Sequence, residues 1–172
     1  MPVLAIQAIY SSMVGEVRRF QDMNLLPIAR HTANDKQGSI GDVQVNRADD
    51  TPFEGVEVKA GHPITPEMIF AIPRKLQGNA VDRYYVLSTE PECIKDSMMN
   101  AVNIALQDVR QETGCEVIAN GLIPTLRYYL RLIANKDQFL EEYTKLVLED
   151  QDVREPQRVL WSTILVELST KP

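Results

Sequence analysis

Apolar residues recur at helical spacing near the start of the chain: Leu4, Ile6, Ile9, Tyr10, Met13, Val14, Val17 and Phe20. The pattern predicts an amphipathic first helix over residues 4 to about 24, closed before Pro27. Residues 30–39, RHTANDKQGS, are polar and turn-forming and read as a loop. The period then changes to two. Residues 42–45 and 56–60 alternate and predict two strands joined by residues 46–55. Thr65, Pro66 and Glu67 form a helix start, with proline at the first helical position. That helix is expected to run toward Gln77, disturbed at Pro73 and stopped by Gly78 and Asn79. The aromatic and β-branched run RYYVLST, residues 83–89, predicts a strand. Met98, Ala101, Val102, Ala105 and Val109 mark a helix over residues 97–112, with Gly114 as its stop. Residues 115–119, CEVIA, give another short strand, and strand–helix–strand implies a right-handed parallel crossover. Helices follow over residues 124–134, 138–148 and 156–168. This order predicts an α/β sandwich around a small mixed sheet: one domain, with a core over about 4–120 and a helical extension over about 121–172.

Composition narrows the class. The 44% hydrophobic and 24% charged residues suit a folded chain rather than a disordered one. No apolar run approaches the roughly 18 residues of a membrane span. The N-terminal segment lacks the leading basic residues and cleavage site of a signal peptide, so it reads as helix. Cys93 and Cys115 form no framework and read as free thiols in a reducing, cytoplasmic setting. His31 and His62 are isolated, and no Cys/His spacing suits zinc. A net charge of -6 disfavours a protein that merely coats phosphates. It leaves room for an enzyme whose carboxylates bind a cation while local basic residues dock the nucleic acid.

The two alternating runs carry the candidate chemistry. Side chains alternate between the faces of a strand, so Asp42 and Gln44 share one face while Val43 and Val45 share the other. Glu57 and Lys59 likewise oppose Val56, Val58 and Ala60. If all the valines enter one core, the four polar residues converge behind it. A pairing of Val45 with Val56 would set Gln44 across from Glu57 and Asp42 across from Lys59, and a shift by an even number keeps the group together. Two nearby carboxylates repel unless a cation lies between them. Mg²⁺ is held by one or two carboxylates, waters and substrate phosphates, with the Val58 carbonyl as a further oxygen donor. Lys59 beside it can orient a water or stabilise charge on phosphorus.

Asp42, fourteen intervening residues and then Glu57-Val58-Lys59 resemble the active-site hairpin of the PD-(D/E)xK nuclease superfamily, the restriction-endonuclease-like fold. The predicted order also resembles that superfamily's αβββαβ core, with a helix inserted after the second strand. The wording VEVKAGHPITPEMI, AIPRKL and RYYVLST further resembles type II restriction endonucleases of the SacI kind. The resemblance implies a restriction-endonuclease-like three-layer sandwich with extra C-terminal helices. It implies Mg²⁺-dependent hydrolysis of DNA, with Mn²⁺ able to substitute. Asp42 and Glu57 would be the metal-binding acids, Lys59 would assist the water, and Glu16 on the first helix would be the added acid. It also implies DNA as partner, a homodimer, and a target-recognition domain or subunit elsewhere. Gly41 stands where the superfamily often has proline.

Plainer readings stand beside these. The hairpin face is otherwise a solvated surface with an ion pair worth little. Gln44, His62, Arg74 and Lys75 could contact nucleic acid or be ordinary surface residues. Asp49 and Asp50 read as turn residues. Arg127, Tyr128 and Arg131 could grip phosphates, although Tyr128 and Tyr129 suit packing better. The helix around Trp161 reads as a core or dimer helix. Rival functions are a catalytically silent DNA-binding or subunit-assembly module on the same fold, and an RNA nuclease or Holliday-junction resolvase.

Overall fold

The structure is a computed structural model, and it describes residues 1–28 and 39–170. His31 and all but Ser39 of the polar stretch read as a loop lie outside the described residues.

The first helix, α1 (Pro2–Glu16), is shorter than its periodicity suggests. Val17 turns extended, a single tight turn follows at Arg18–Phe20, and β1 (Asn24–Leu25) pairs with the next strand. The helix is also buried on more than one stripe. Leu4, Ala5, Ile6, Gln7, Ala8, Ile9, Tyr10, Ser12 and Met13 are all buried, because α1 lies between the sheet and α6 (Lys136–Glu149). Small Ala5, Ala8 and Ser12 leave room for close packing around the helix.

The sheet has five strands in the order β1-β2-β3-β4-β5. β2 (Val43–Asn46) is antiparallel to β1 and to β3 (Pro52–Lys59), whereas β4 (Arg83–Ser88) and β5 (Glu116–Gly121) run parallel to β3 and to each other. β3 begins four residues earlier than its alternation predicts, and Ala60 falls outside it.

Helices cover both faces. On one side α1 and α5 (Leu122–Tyr129) pack on Val43, Val45, Val56, Tyr85 and Leu87. On the other, α2 (Pro66–Phe70), α3 (Ile72–Leu76) and α4 (Met99–Thr113) bury Ile69, Ile72, Leu76, Val102, Ala105 and Val109 against Tyr84 and Val86. The helix predicted across Pro73 is thus two short helices that meet at Ala71. Pro73 sits in the first turn of α3, where a missing N–H costs nothing. Gly114 ends α4 with φ 73°, a left-handed conformation that suits glycine.

The C-terminal helices are tied to α1. Trp161 of α7 (Glu155–Thr170) packs with Leu4 and Val147, stacks edge-on against Tyr143 at 4.7 Å, and donates its indole N–H to Thr144 at 3.1 Å. Val159, Leu160, Ile164, Val166 and Leu168 of the same helix are exposed. No described helix is long and apolar enough to cross a membrane. Cys93 is half-buried, Cys115 is buried, and both are free thiols.

Candidate functional site

The valine alternation sorts the hairpin as its pattern predicts. Val43, Val45, Val56 and Val58 all join the α1-side core. Asp42, Gln44, Glu57 and Lys59 are therefore on the face covered by α2, α3 and α4. The register differs from the expected one by two residues: Val43, not Val45, pairs with Val56. A β-bulge between Val45 and Asn46 lets Asn46 pair with Pro52, so the turn is tighter than the predicted ten-residue connection. Asp42 accordingly stands across from Glu57, not from Lys59. Its amide donates to the Val56 carbonyl at 2.8 Å.

At this point the two strands part. The Val58 amide, which would look for a β2 carbonyl, instead donates to Asp42 Oδ2 at 2.8 Å. Within a strand, a residue's N–H and C=O leave on the same edge. The Val58 carbonyl therefore projects on the edge where the Asp42 carboxylate sits. Gly41 makes the approach possible: a Cβ there would lie 2.7 Å from the Val56 carbonyl oxygen. Proline would bring the same clash, which explains the glycine physically. Gly41→Ala is expected to push Asp42 off Val58 and to lower stability by about 1–3 kcal/mol. Thermal denaturation checks it, and an unchanged midpoint would contradict the close packing.

Glu57 is the hub of the site. Lys59 pairs with its Oε1, and Lys75 from α3 pairs with its Oε2. The Tyr84 hydroxyl, from the adjacent β4, donates to Oε2 at 2.8 Å and also lies 2.7 Å from the Ile40 carbonyl. Burial alone would raise the Glu57 pKa. The two ammonium groups and the Tyr84 hydroxyl outweigh it and hold the pKa at about 2, so Glu57 is a carboxylate throughout the neutral range. Burial and the negative charges of Glu57 and Asp42 push the Tyr84 hydroxyl well above its usual range, which keeps it a neutral donor. Asp42, Glu57, Lys59, Lys75 and Tyr84 thus form one cluster at the C-terminal end of β3.

Other expected residues fall elsewhere. Glu16 is not in the cluster. It ends α1 on the opposite face of the sheet, and its carboxylate accepts the Ala134 and Asn135 amides, capping the approach to α6. Gln44 is on the expected face but only 4% exposed. Its side chain accepts the Ile40 amide at 2.9 Å and donates to Asn46 at 2.7 Å, so it anchors the segment before Asp42 rather than facing a ligand. His62 is exposed, and its backbone carbonyl accepts the Ser88 hydroxyl at 2.7 Å. Arg74 is exposed beside Lys75. Asp49 accepts the Thr51 amide and hydroxyl in the turn between β2 and β3, as a turn residue should. Tyr129 is buried, while Arg127, Tyr128 and Arg131 are exposed.

The sequence reading missed Tyr84 altogether and took Lys75 for a nucleic-acid contact or a surface cation, not for a partner of Glu57. Both reach Glu57 across long sequence separations, 27 and 18 residues, through the fold.

Among the described residues no three His, Cys, Asp or Glu side chains gather where they could hold a metal ion. The cluster offers two carboxylates and a backbone carbonyl. These are hard oxygen donors, which suit Mg²⁺ or Mn²⁺ in a carboxylate, water and phosphate shell and do not suit zinc. Among the described residues only one Asp42 oxygen is engaged, while both Glu57 oxygens already hold cationic donors. No protein-family model matches the chain, and no curated protein matches it.

Proposed function

We propose that this protein is a Mg²⁺-dependent endodeoxyribonuclease of the restriction-endonuclease-like kind, with its chemistry at Asp42, Glu57 and Lys59. The observation that carries the reading is the convergence of these three side chains on one face where β2 and β3 part, with the Val58 peptide between them. The succession α1, β1, β2, β3, α2, α3, β4, α4, β5 contains the αβββαβ order of that superfamily and supports it.

In this reading Asp42, Glu57 and the Val58 carbonyl hold the ion. Mg²⁺ bound there would supply Lewis-acid polarisation of the scissile phosphate. Asp42 is fixed by the Val58 amide, so it binds without first being ordered. Lys59 keeps its ammonium beside Glu57, where it can orient an attacking water and stabilise negative charge gathering on phosphorus. Tyr84 holds Glu57 from behind through its neutral hydroxyl. DNA is the partner, and a target-recognition domain or subunit would supply the sequence reading that no motif here provides.

Cutting both strands of a duplex calls for two sites, hence a C2 pair of chains. The exposed apolar residues of α7 offer a surface for such pairing. Sedimentation equilibrium is expected to give twice the 19.5 kDa chain mass, and a 19.5 kDa species at micromolar concentration would remove the dimer.

A second reading has its own observation. With Lys59 and Lys75 both on Glu57, the carboxylate is neutralised without a metal, as expected of a catalytically silent DNA-binding or assembly module. Calorimetric titration with Mn²⁺ separates the two. Binding lost in Asp42→Ala favours the nuclease, and no heat in the unaltered protein favours the silent module.

A further inference from the structure

Lys75 is a surplus cation in the cluster. Glu57 carries one negative charge and already has Lys59 on Oε1, yet Lys75 sits on Oε2 together with the Tyr84 hydroxyl. Two ammonium groups on one carboxylate repel each other, and only the charge between them makes the arrangement favourable. A divalent cation on Glu57 would add two more positive charges to the same oxygens. Metal and Lys75 therefore compete for Oε2.

The geometry shows which partner can leave. The Lys75 side chain is 33% exposed and Glu57 only 12%, so Lys75 enters from the solvent side on a four-carbon stem. Its helix, α3, has five residues and ends at Gln77 and Gly78, both with positive φ. Tyr84 has a second place for its single proton: the Ile40 carbonyl lies 2.7 Å from the hydroxyl, as close as Glu57 does. It can release Glu57 without losing a hydrogen bond. Lys59, 26% exposed, is on the same strand as Glu57, two residues along, whereas Lys75 comes from a separate short helix.

We infer that Lys75 is an exchangeable counterion: it occupies the metal's position on Glu57 in the free protein and passes to a DNA phosphate when metal and DNA enter. The inference rests on the metal-dependent reading above and deepens it. Without DNA, Lys75 has nowhere better to go, and the cation binds weakly. A phosphodiester beside α3 gives Lys75 an alternative anion and frees Oε2. Metal and DNA then help each other bind, and the coupling runs through one side chain.

The test is titration of the DNA-free protein with Mn²⁺ alone, by calorimetry, for the unaltered chain, Lys75→Ala, Lys75→Gln and Arg74→Ala. Both Lys75 variants are expected to bind Mn²⁺ about tenfold more tightly, with Arg74→Ala unchanged. A short duplex titrated in the absence of metal is expected to bind the Lys75 variants more weakly than the unaltered chain. A lysine that only braces the fold would not move the two affinities in opposite directions. Circular dichroism of the surface variants confirms that they are folded. If the unaltered chain binds Mn²⁺ and neither Lys75 variant binds it more tightly, the exchange is wrong while the nuclease reading survives. If DNA affinity stays level, the transfer to phosphate is wrong. If no variant binds Mn²⁺ at all, both the exchange and the nuclease reading fall.

Discussion

Lys59→Ala is expected to lower Mg²⁺-dependent nicking of supercoiled plasmid by about 10²–10⁴-fold, the usual size of a lost proton-transfer or charge-stabilising group. Asp42→Ala should do at least as much, because it removes one of two carboxylates and leaves the Val58 amide without its acceptor. The effects should differ in kind. Lys59→Ala keeps Asp42 and Glu57, so Mn²⁺ still binds and turnover is lost. Asp42→Ala loses Mn²⁺ binding as well. Gel densitometry of nicked product against time, beside calorimetry, reads both. Nicking at the original rate in both variants would end the proposal, because the reading places the chemistry on these side chains.

The second large effect lies at the other end of β3 and concerns stability. Glu54 is 1% exposed on the α1 face. Its carboxylate accepts the Tyr10 hydroxyl and pairs with Arg19 at 2.8 Å, and Arg19 reaches Asp82 at 3.1 Å while lying over the Phe53 ring at 4.7 Å. Burial raises the Glu54 pKa against the lowering by Tyr10 and Arg19. A raised folded-state pKa means that this group's contribution is complete below its unfolded value and is lost as pH rises through the folded one. Glu54→Ala leaves Arg19 with Asp82 as its remaining carboxylate, takes the Glu54 acceptor from the Tyr10 hydroxyl and opens space beneath α1. The expected cost is about 3 kcal/mol, at the low end for breaking a buried pair because Arg19 is 28% exposed. In a chain of this length that lowers Tm by roughly 6–12 °C, measured by scanning calorimetry. Glu54→Gln keeps an acceptor for Tyr10 and should cost less. A Tm within one or two degrees for Glu54→Ala would show that the pair is dispensable.

Local physics accounts for what was readable beforehand. Val43, Val45, Val56 and Val58 point into one core because side chains at every second position of a strand share a face. The same alternation put Asp42, Glu57 and Lys59 on the other face. Pro66, Gly78 and Gly114 mark helix ends because their backbone chemistry is local. Reading residues 52–55 as a loop missed the start of β3. Pro52 and a polar Glu54 look unlike a central strand until Tyr10 and Arg19, 44 and 35 residues from Glu54, supply the partners of its carboxylate. Glu16 looked like a site acid because the resemblance implied one on the first helix and Glu16 is the only acid there before Asp22. Its partners are the Ala134 and Asn135 amides, more than a hundred residues on.

The chain by itself determined the α/β class, the strands of the hairpin and the face shared by Asp42, Glu57 and Lys59. Those follow from side-chain period and turn chemistry, which act over a few residues. Only the tertiary structure decided the register, the removal of Glu16 and Gln44 from the cluster, and the arrival of Lys75 and Tyr84 at Glu57. Those depend on how α3 and β4 pack beside β3. Packing joins residues by distance in space, and no period along the chain records it.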